Sequence, residues 1–173
     1  MEFFETLKAR HSVRAYKDKE IEEDKIYQIL QAANLAPSAG NLQSYEIVLI
    51  RDKERKKKIA AASYNQNFIA QAPIILVFCA NIYKSSTKYG ERGEKLYALQ
   101  DATIACSYAQ LAATTLGLAS CWIGAFDEEK IKKIINAPAH IKPVAILPIG
   151  YAAEKPYITP RRKLKDLVKE ETL

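Results

Sequence analysis

Helix-period and strand-period patterns alternate along the chain, which predicts one domain of mixed helix and sheet. Three observations carry this expectation. The 173 residues leave room for one ordinary domain and not for two. Apolar residues make up 49% and charged residues 27%, a globular balance that excludes a disordered tail. The longest apolar run, Ala72 to Ala80, is too short to span a bilayer and suits a buried strand. Gly 6 and Pro 7 exclude collagen-like or low-complexity character. No apolar stretch follows Met1 to Glu5, so the expectation is a cytoplasmic protein with no signal peptide and no membrane partner.

The elements follow in order. Phe3, Phe4 and Leu7 predict a short amphipathic helix ending near Arg10-His11-Ser12. Glu20 to Ala36 predicts a second helix, with Ile26, Ile29, Leu30 and Ala33 as its apolar stripe at i, i+3, i+4 and i+7. Acidic residues fill its first turn, as the helix dipole prefers, and Pro37 stops it. Ala36 to Asn41 is a loop, and Glu46 to Ile50 a strand. Asp52 opens a basic helix to about Ala62. The β-branched run Ile74 to Cys79 is a buried strand. Ala80 to Glu94 contains Tyr83, Tyr89, Gly90 and Gly93 and reads as a small lid. Glu94 to Leu116 is the longest helix, capped by Gly117 and lined with alanines at spacings that let another helix approach closely. Leu118 to Ile123 is a strand ending in Gly124, and Asp127 caps a helix to about Asn136. Pro143 to Ile149 is the last core strand, and Pro148 favours an edge or a strand end for it. Tyr151 to Leu173 is an extended arm with a short helix, apolar enough to need docking on something.

Several chemistries are excluded by what is missing. Cys79, Cys106 and Cys121 are odd in number and lack C-x-x-C spacing, so neither a disulfide scaffold nor a zinc site is expected. His11 and His140 have no partners at metal-ligand spacing. No P-loop and no G-x-G-x-x-G is present, and no paired carboxylates stand out. The net charge of +6 is spread over basic runs in helical patterns, without the coherent face or motif that nucleic acid binding needs.

What remains are polar groups beside turns. In an extended segment Arg10, Ser12 and Arg14 point to one side, and two guanidiniums with a hydroxyl suit a phosphate or a polyol. A solvated basic strand would show the same pattern. Pro37-Ser38-Ala39-Gly40-Asn41 and Gln43 offer hydroxyl and amide groups on a loop, which equally suits a plain helix stop.

At these residues the chain resembles the nitroreductase family of flavin enzymes. Arg10-His11-Ser12-Val13-Arg14-Ala15-Tyr16 is similar to the family's opening segment, and Ala36 to Gln43 to its A-P-S-x-x-N-x-Q loop. Gly117 to Gly124 resembles its G-L-x-[ST]-C-W-[IL]-G strand, and Leu147 to Tyr151 with Arg161-Arg162 its closing segment. The resemblance implies an α+β fold: a mixed, largely antiparallel central sheet flanked by helices, in an intertwined homodimer formed by residues 1–173 as one FMN-binding domain. It implies FMN at the dimer interface and NAD(P)H as electron donor. Arg10, His11, Ser12 and Arg14 would meet the FMN phosphate, ribityl chain and pyrimidine edge, with Arg161 and Arg162 completing the phosphate grip. Pro37, Ser38, Ala39, Asn41 and Gln43 would line the flavin from the partner chain. Ile123, Gly124, Pro148, Ile149 and Gly150 would contact the ring, and Asn67 its edge. No side chain is expected to act as acid or base, since the flavin carries the hydride, and Arg14 would tune it.

Two departures stand beside the resemblance. Ser44 replaces the family's usual proline after Gln43, and the chain is short for the family. The implied activity is hydride transfer from NAD(P)H and electron transfer to a planar acceptor such as a nitroaromatic or quinone, by a ping-pong mechanism. A non-catalytic flavin-binding or sensor module, or a flavin dehydrogenase or dehalogenase on the same scaffold, would use the same segments.

Overall fold

A computed structural model describes residues 1–173. Its sheet has four strands: β1 (Tyr45–Ile50), β2 (Ile74–Asn81), β3 (Ala119–Ser120) and β4 (Ile141–Gly150), in the order β1-β2-β4-β3. Every strand pairing is antiparallel, and the parallel component is a single bridge between Ser12 and Ser120. This is the α+β architecture that the sequence implies.

The period of two along β2 divides the interior. Ile74, Leu76 and Phe78 face one core, where they meet Ile26, Ile29 and Ala33 of α2 (Glu23–Asn34) and Ala105 and Ala109 of α6 (Ala98–Thr115). Ile75, Val77 and Cys79 face the other. There they meet Ile59 of α3 (Lys53–Ala62), Ile69 of α4 (Phe68–Gln71) and Ile131 of α7 (Glu128–Ile134). A strand buried on both faces reads as a continuous apolar run rather than an alternation. The predicted stripe of α2 and the core alanines of α6 lie where the pattern puts them. The remaining helices are α1 (Phe3–Ala9), α5 (Ile82–Arg92) and α8 (Leu164–Leu167).

Gly117 ends α6 with φ of 76°, and the Leu118 N–H donates to the Ala113 carbonyl at 2.9 Å. That is the left-handed glycine cap anticipated for this position. Asp52 and Asp127 cap α3 and α7 by accepting from Arg55 N at 2.8 Å and Lys130 N at 3.0 Å.

Three expectations are corrected and one, the Ala80 to Glu94 segment, is refined. The strand over Leu118 to Ile123 shrinks to Ala119–Ser120 plus a bridge from Ile123 to Ile146. The long helix starts at Ala98, after a π turn over Gly93–Tyr97. The segment from Ala80 to Glu94, read as a small lid, is helical over Ile82–Arg92 apart from a kink at Gly90 (φ 54°, ψ −140°), and it leads into that turn. Finally, Pro148 sits in β4, which lies inside the sheet between β2 and β3. Ile146 exchanges both backbone hydrogen bonds with Ile123, so Pro148, two residues on, turns its nitrogen to that same side. Beyond Ile123 the partner is only the short β3, so no bond to β2 is lost, and an interior strand accepts the proline.

Gly150 is required by close approach. A Cβ there would lie 2.7 Å from Pro73 Cδ and 3.0 Å from Tyr16 Cδ1. Gly150→Ala is expected to lower stability by about 1–3 kcal/mol, the usual cost of overpacking. A urea denaturation midpoint moved to lower concentration at unchanged slope would show it.

Candidate active site

The residues Arg10 to Tyr16 run extended beside β3. Ser12 bridges Ser120, and the Val13 N–H donates to the Ser120 carbonyl at 3.1 Å. Val13 is buried with Tyr16 and Ala72, whereas Arg14 is exposed and Arg10 and Ser12 are half-buried. The Tyr16 hydroxyl lies 2.9 Å from the Val13 carbonyl and 3.3 Å from that of Pro148, tying the segment to β4. Burial raises the Tyr16 pKa far above its ordinary value, so the hydroxyl remains a neutral donor. Neither the Arg10 nor the Arg14 guanidinium has an ion-pair partner in the chain. His11 does not share their side: it lines a small cavity with Ala9, Val13, Thr114, Gly117 and Leu118.

Cys121 lies beneath this segment. Burial pushes its thiol up, while Arg14, Ser12 and Arg10 pull it down. Burial also pushes the Cys79 thiol up, to about 12, and raises that of Cys106. All three cysteines are buried and unbridged.

The loop Pro37 to Gln43 is held from α6. Asp101, buried in the first turn of that helix, accepts from the Ala39 N–H at 3.0 Å and the Ser44 N–H at 3.1 Å. Ser38 Oγ accepts from the Gln43 N–H at 2.9 Å, and Gln43 Nε2 donates to Asn34 at 3.1 Å. Gly40, Asn41 and Gln43 all have positive φ, of 56°, 56° and 49°. Such a backbone is costly for non-glycine residues and persists only where surrounding contacts hold it. Asp101 supplies those contacts. Its acid in an otherwise alanine-rich helix was the signal available in the sequence, and the motif reading passed over it.

The other candidates fall into place around these two groups. Ile123 pairs with Ile146, and Gly124 lines a cleft of about 470 Å³ with Phe126 and Val144. Pro148, Ile149 and Gly150 end β4 beside Ser120 and Tyr16. Asn67 precedes Phe68, which packs against the Val13 and Tyr16 cluster. Arg161 and Arg162 sit on the exposed arm, where their hydrogen bonds go to Thr159, Pro160 and Asp166. These arginines also have no acidic partner.

The two main groups are not brought together within one chain. Ser12 joins Ser120, which pairs with Ile149, which pairs with Ile74 at the start of β2. The loop leads into Tyr45, which pairs with Ala80 at the end of β2. The strand from Ile74 to Ala80, at about 3.3 Å per residue, separates those positions by roughly 20 Å.

The model of the nitroreductase family matches residues 7–68 and 60–151 of this chain. The chain belongs to the nitroreductase family. The FMN reductase (NAD(P)H) of Bacillus subtilis is 30% identical over 184 residues, covering 99% of this chain and 74% of that protein. The NADH dehydrogenase of Thermus thermophilus is 28% identical over 186 residues, covering 92% of this chain and 91% of that protein. Among solved structures, NfrA2 of Bacillus megaterium superposes with a TM-score of 0.92 at 27% identity, over 100% of this chain and 76% of that one. The chain is therefore an enzyme, an oxidoreductase of the FMN- and NAD(P)H-dependent kind typical of the nitroreductase family. No helix is long and apolar enough to cross a membrane.

Two outcomes are expected from this geometry. Asp101→Asn replaces one acceptor oxygen by a donor facing an N–H, and should cost about 1–3 kcal/mol. Hydrogen exchange at the Ala39 and Ser44 amides should quicken in that variant more than elsewhere. The three thiols should react with Ellman's reagent only after denaturation, with none titrating in the native protein at pH 8.

Proposed function

We propose that this nitroreductase-family chain binds FMN between two copies of itself, each copy supplying one half of the site. The observation that carries this reading is the set of guanidiniums without ion-pair partners, on Arg10, Arg14, Arg161 and Arg162; the acidic contact of Arg14 is made by its backbone N–H, which donates to Glu154. A phosphate dianion is the ligand that such donors suit, since guanidinium–phosphate contacts are charge-assisted and frequently bidentate. Arg10 and Arg14 sit on one edge of a segment whose backbone is fixed by Ser120 and Tyr16 before a ligand arrives, while their side chains stay free to close on it. The separation of the two residue groups supports the second half of the proposal. A partner chain, antiparallel to the first, would bring its own Pro37 to Gln43 loop to the Arg10 to Arg14 edge.

The donor set fits the cofactor. Arg10 binds the phosphate, with Arg161 and Arg162 closing on it from the arm. Ser12 meets the ribityl hydroxyls. Arg14 stands at the pyrimidine edge, where positive charge favours an electron-rich ring. Ile123, Gly124 and Pro148 to Gly150 form an apolar wall for the ring, with Asn67 at its edge. The Ser38 hydroxyl and the side-chain amides of Asn41 and Gln43 orient the ring from the partner, with Ala39 beside them held by Asp101, and the covered wall excludes water. When bound, FMN supplies hydride acceptance from NAD(P)H and, in alternation at the same site, electron donation to a planar acceptor such as a nitroaromatic or quinone.

Purified protein is expected to be yellow, or to become so with FMN, and its flavin bands should bleach under anaerobic NADH or NADPH. Arg10→Ala and Arg14→Ala should each weaken FMN binding by about 10–100-fold, the loss of one or two charged hydrogen bonds. Flavin fluorescence titration measures this. Affinities equal to wild type in both variants would overturn the placement of Arg10 at the phosphate and of Arg14 at the pyrimidine edge.

A further inference from the structure

Helix α5 lays a charged aromatic rim over the Pro37 to Gln43 loop. Lys84 Nζ donates to the Gln43 carbonyl at 3.4 Å. A Cβ on Gly40 would lie 2.3 Å from the Tyr89 hydroxyl and 2.7 Å from Lys88 Nζ, so both side chains sit against that residue. Tyr89 and Tyr97 pack edge to face, with centroids 5.1 Å apart and planes at 86°. A cation attends each ring. Lys88 Nζ is 5.4 Å from the Tyr89 centroid, and Arg92 is 5.4 Å from that of Tyr97. Arg92 Nε also donates to the Tyr97 hydroxyl at 2.9 Å, which fixes the guanidinium against the ring.

The charges on this rim are unbalanced. Lys84, Lys88 and Arg92 form no ion pair, although Glu91 and Glu94 are close in sequence. Glu91 is instead engaged by Lys95. The chain kinks at Gly90 (φ 54°, ψ −140°) and then enters the π turn over Gly93–Tyr97, whose last residue Tyr97 meets Arg92. A Cβ on Gly93 would lie 2.4 Å from the Ser85 carbonyl oxygen, so only glycine lets the turn close on α5. The rim is thus a built feature of the fold rather than a scatter of surface lysines.

We propose that this rim selects an anionic planar substrate: an aromatic or nicotinamide-bearing molecule whose carboxylate, sulfonate or phosphate meets Lys88 and Arg92 while its flat part stacks on the tyrosines. Resting on the flavin placement proposed above, this assigns substrate class to the same site. The tyrosine faces offer stacking area at low entropic cost, and each cation is already aligned on a ring. The negative group has two sources. It belongs either to an aromatic acid that accepts electrons or to the 2′-phosphate of the donor NADPH.

The test uses the FMN-loaded protein and its Lys88→Gln, Arg92→Gln double variant. Calorimetry gives the affinities of benzoate and of neutral benzamide, and steady-state kinetics give kcat/KM for 4-nitrobenzoate, 4-nitrobenzyl alcohol, NADPH and NADH. Wild type is expected to favour the charged member of at least one pair. That preference should fall roughly three- to tenfold in the variant and should weaken with added salt, as exposed ion pairs do. A fall confined to benzoate and nitrobenzoate identifies the acceptor as the anion, and one confined to NADPH over NADH identifies the donor. Preferences unchanged in the variant, with flavin still bound and still bleached by NADH, overturn the rim alone. Failure of the wild type to bind FMN overturns the flavin placement and the rim together.

Discussion

Strand β2 is buried on both faces, and its length governs the rest of the molecule. Its even residues belong to a core shared with α2 and α6, and its odd residues to one shared with α3, α4 and α7. A wall of this kind cannot bend without exposing one core or the other, since interiors are packed like organic crystals. Whatever lies at its two ends therefore stays apart. The phosphate-type donors stand at one end and the strained loop at the other, so no rearrangement of one chain closes them on a common ligand.

Each end is held by a different kind of interaction. The segment Arg10 to Arg14 is pinned by apolar burial of Val13 and by the Tyr16 hydroxyl, which reaches two backbone carbonyls. The loop is pinned electrostatically, by a buried carboxylate that satisfies two N–H groups of a left-handed backbone. Both devices fix backbone rather than side chain, which leaves the polar ends of Arg10, Arg14 and Asn41 free of side-chain partners, while Gln43 Nε2 is held by Asn34. Rigid support beneath adaptable polar groups is the arrangement a binding site needs.

The surface carries a matching imbalance. Phe3, Phe4, Tyr157, Ile158, Leu164 and Leu167 are exposed on α1 and the C-terminal arm. Exposed apolar groups at this density mark contact surfaces, and those on the arm, Tyr157, Ile158, Leu164 and Leu167, lie on the same segment as Arg161 and Arg162. A second chain that covered them would also bring the arm's arginines to a site. Burial of apolar area and completion of the ligand cradle would then be one event.

The sequence by itself determined the apolar stripe of α2, the two-faced β2, the aspartate caps of α3 and α7 and the glycine end of α6, because each is a local pattern with a local cause. It also carried the four motif segments that signal the family. It misplaced what depends on neighbours. Pro148 suits an interior strand because its nitrogen faces β3 and not β2, and the Ala80 to Glu94 segment is a helix kinked at Gly90 whose following π turn packs Gly93 on Ser85. Asp101 gains its importance from a loop some sixty residues away in sequence, and no spacing rule connects the two. Tertiary structure alone decided that the motif segments lie at opposite ends of the sheet, since strand order and strand length, unlike motif order, set distance in space.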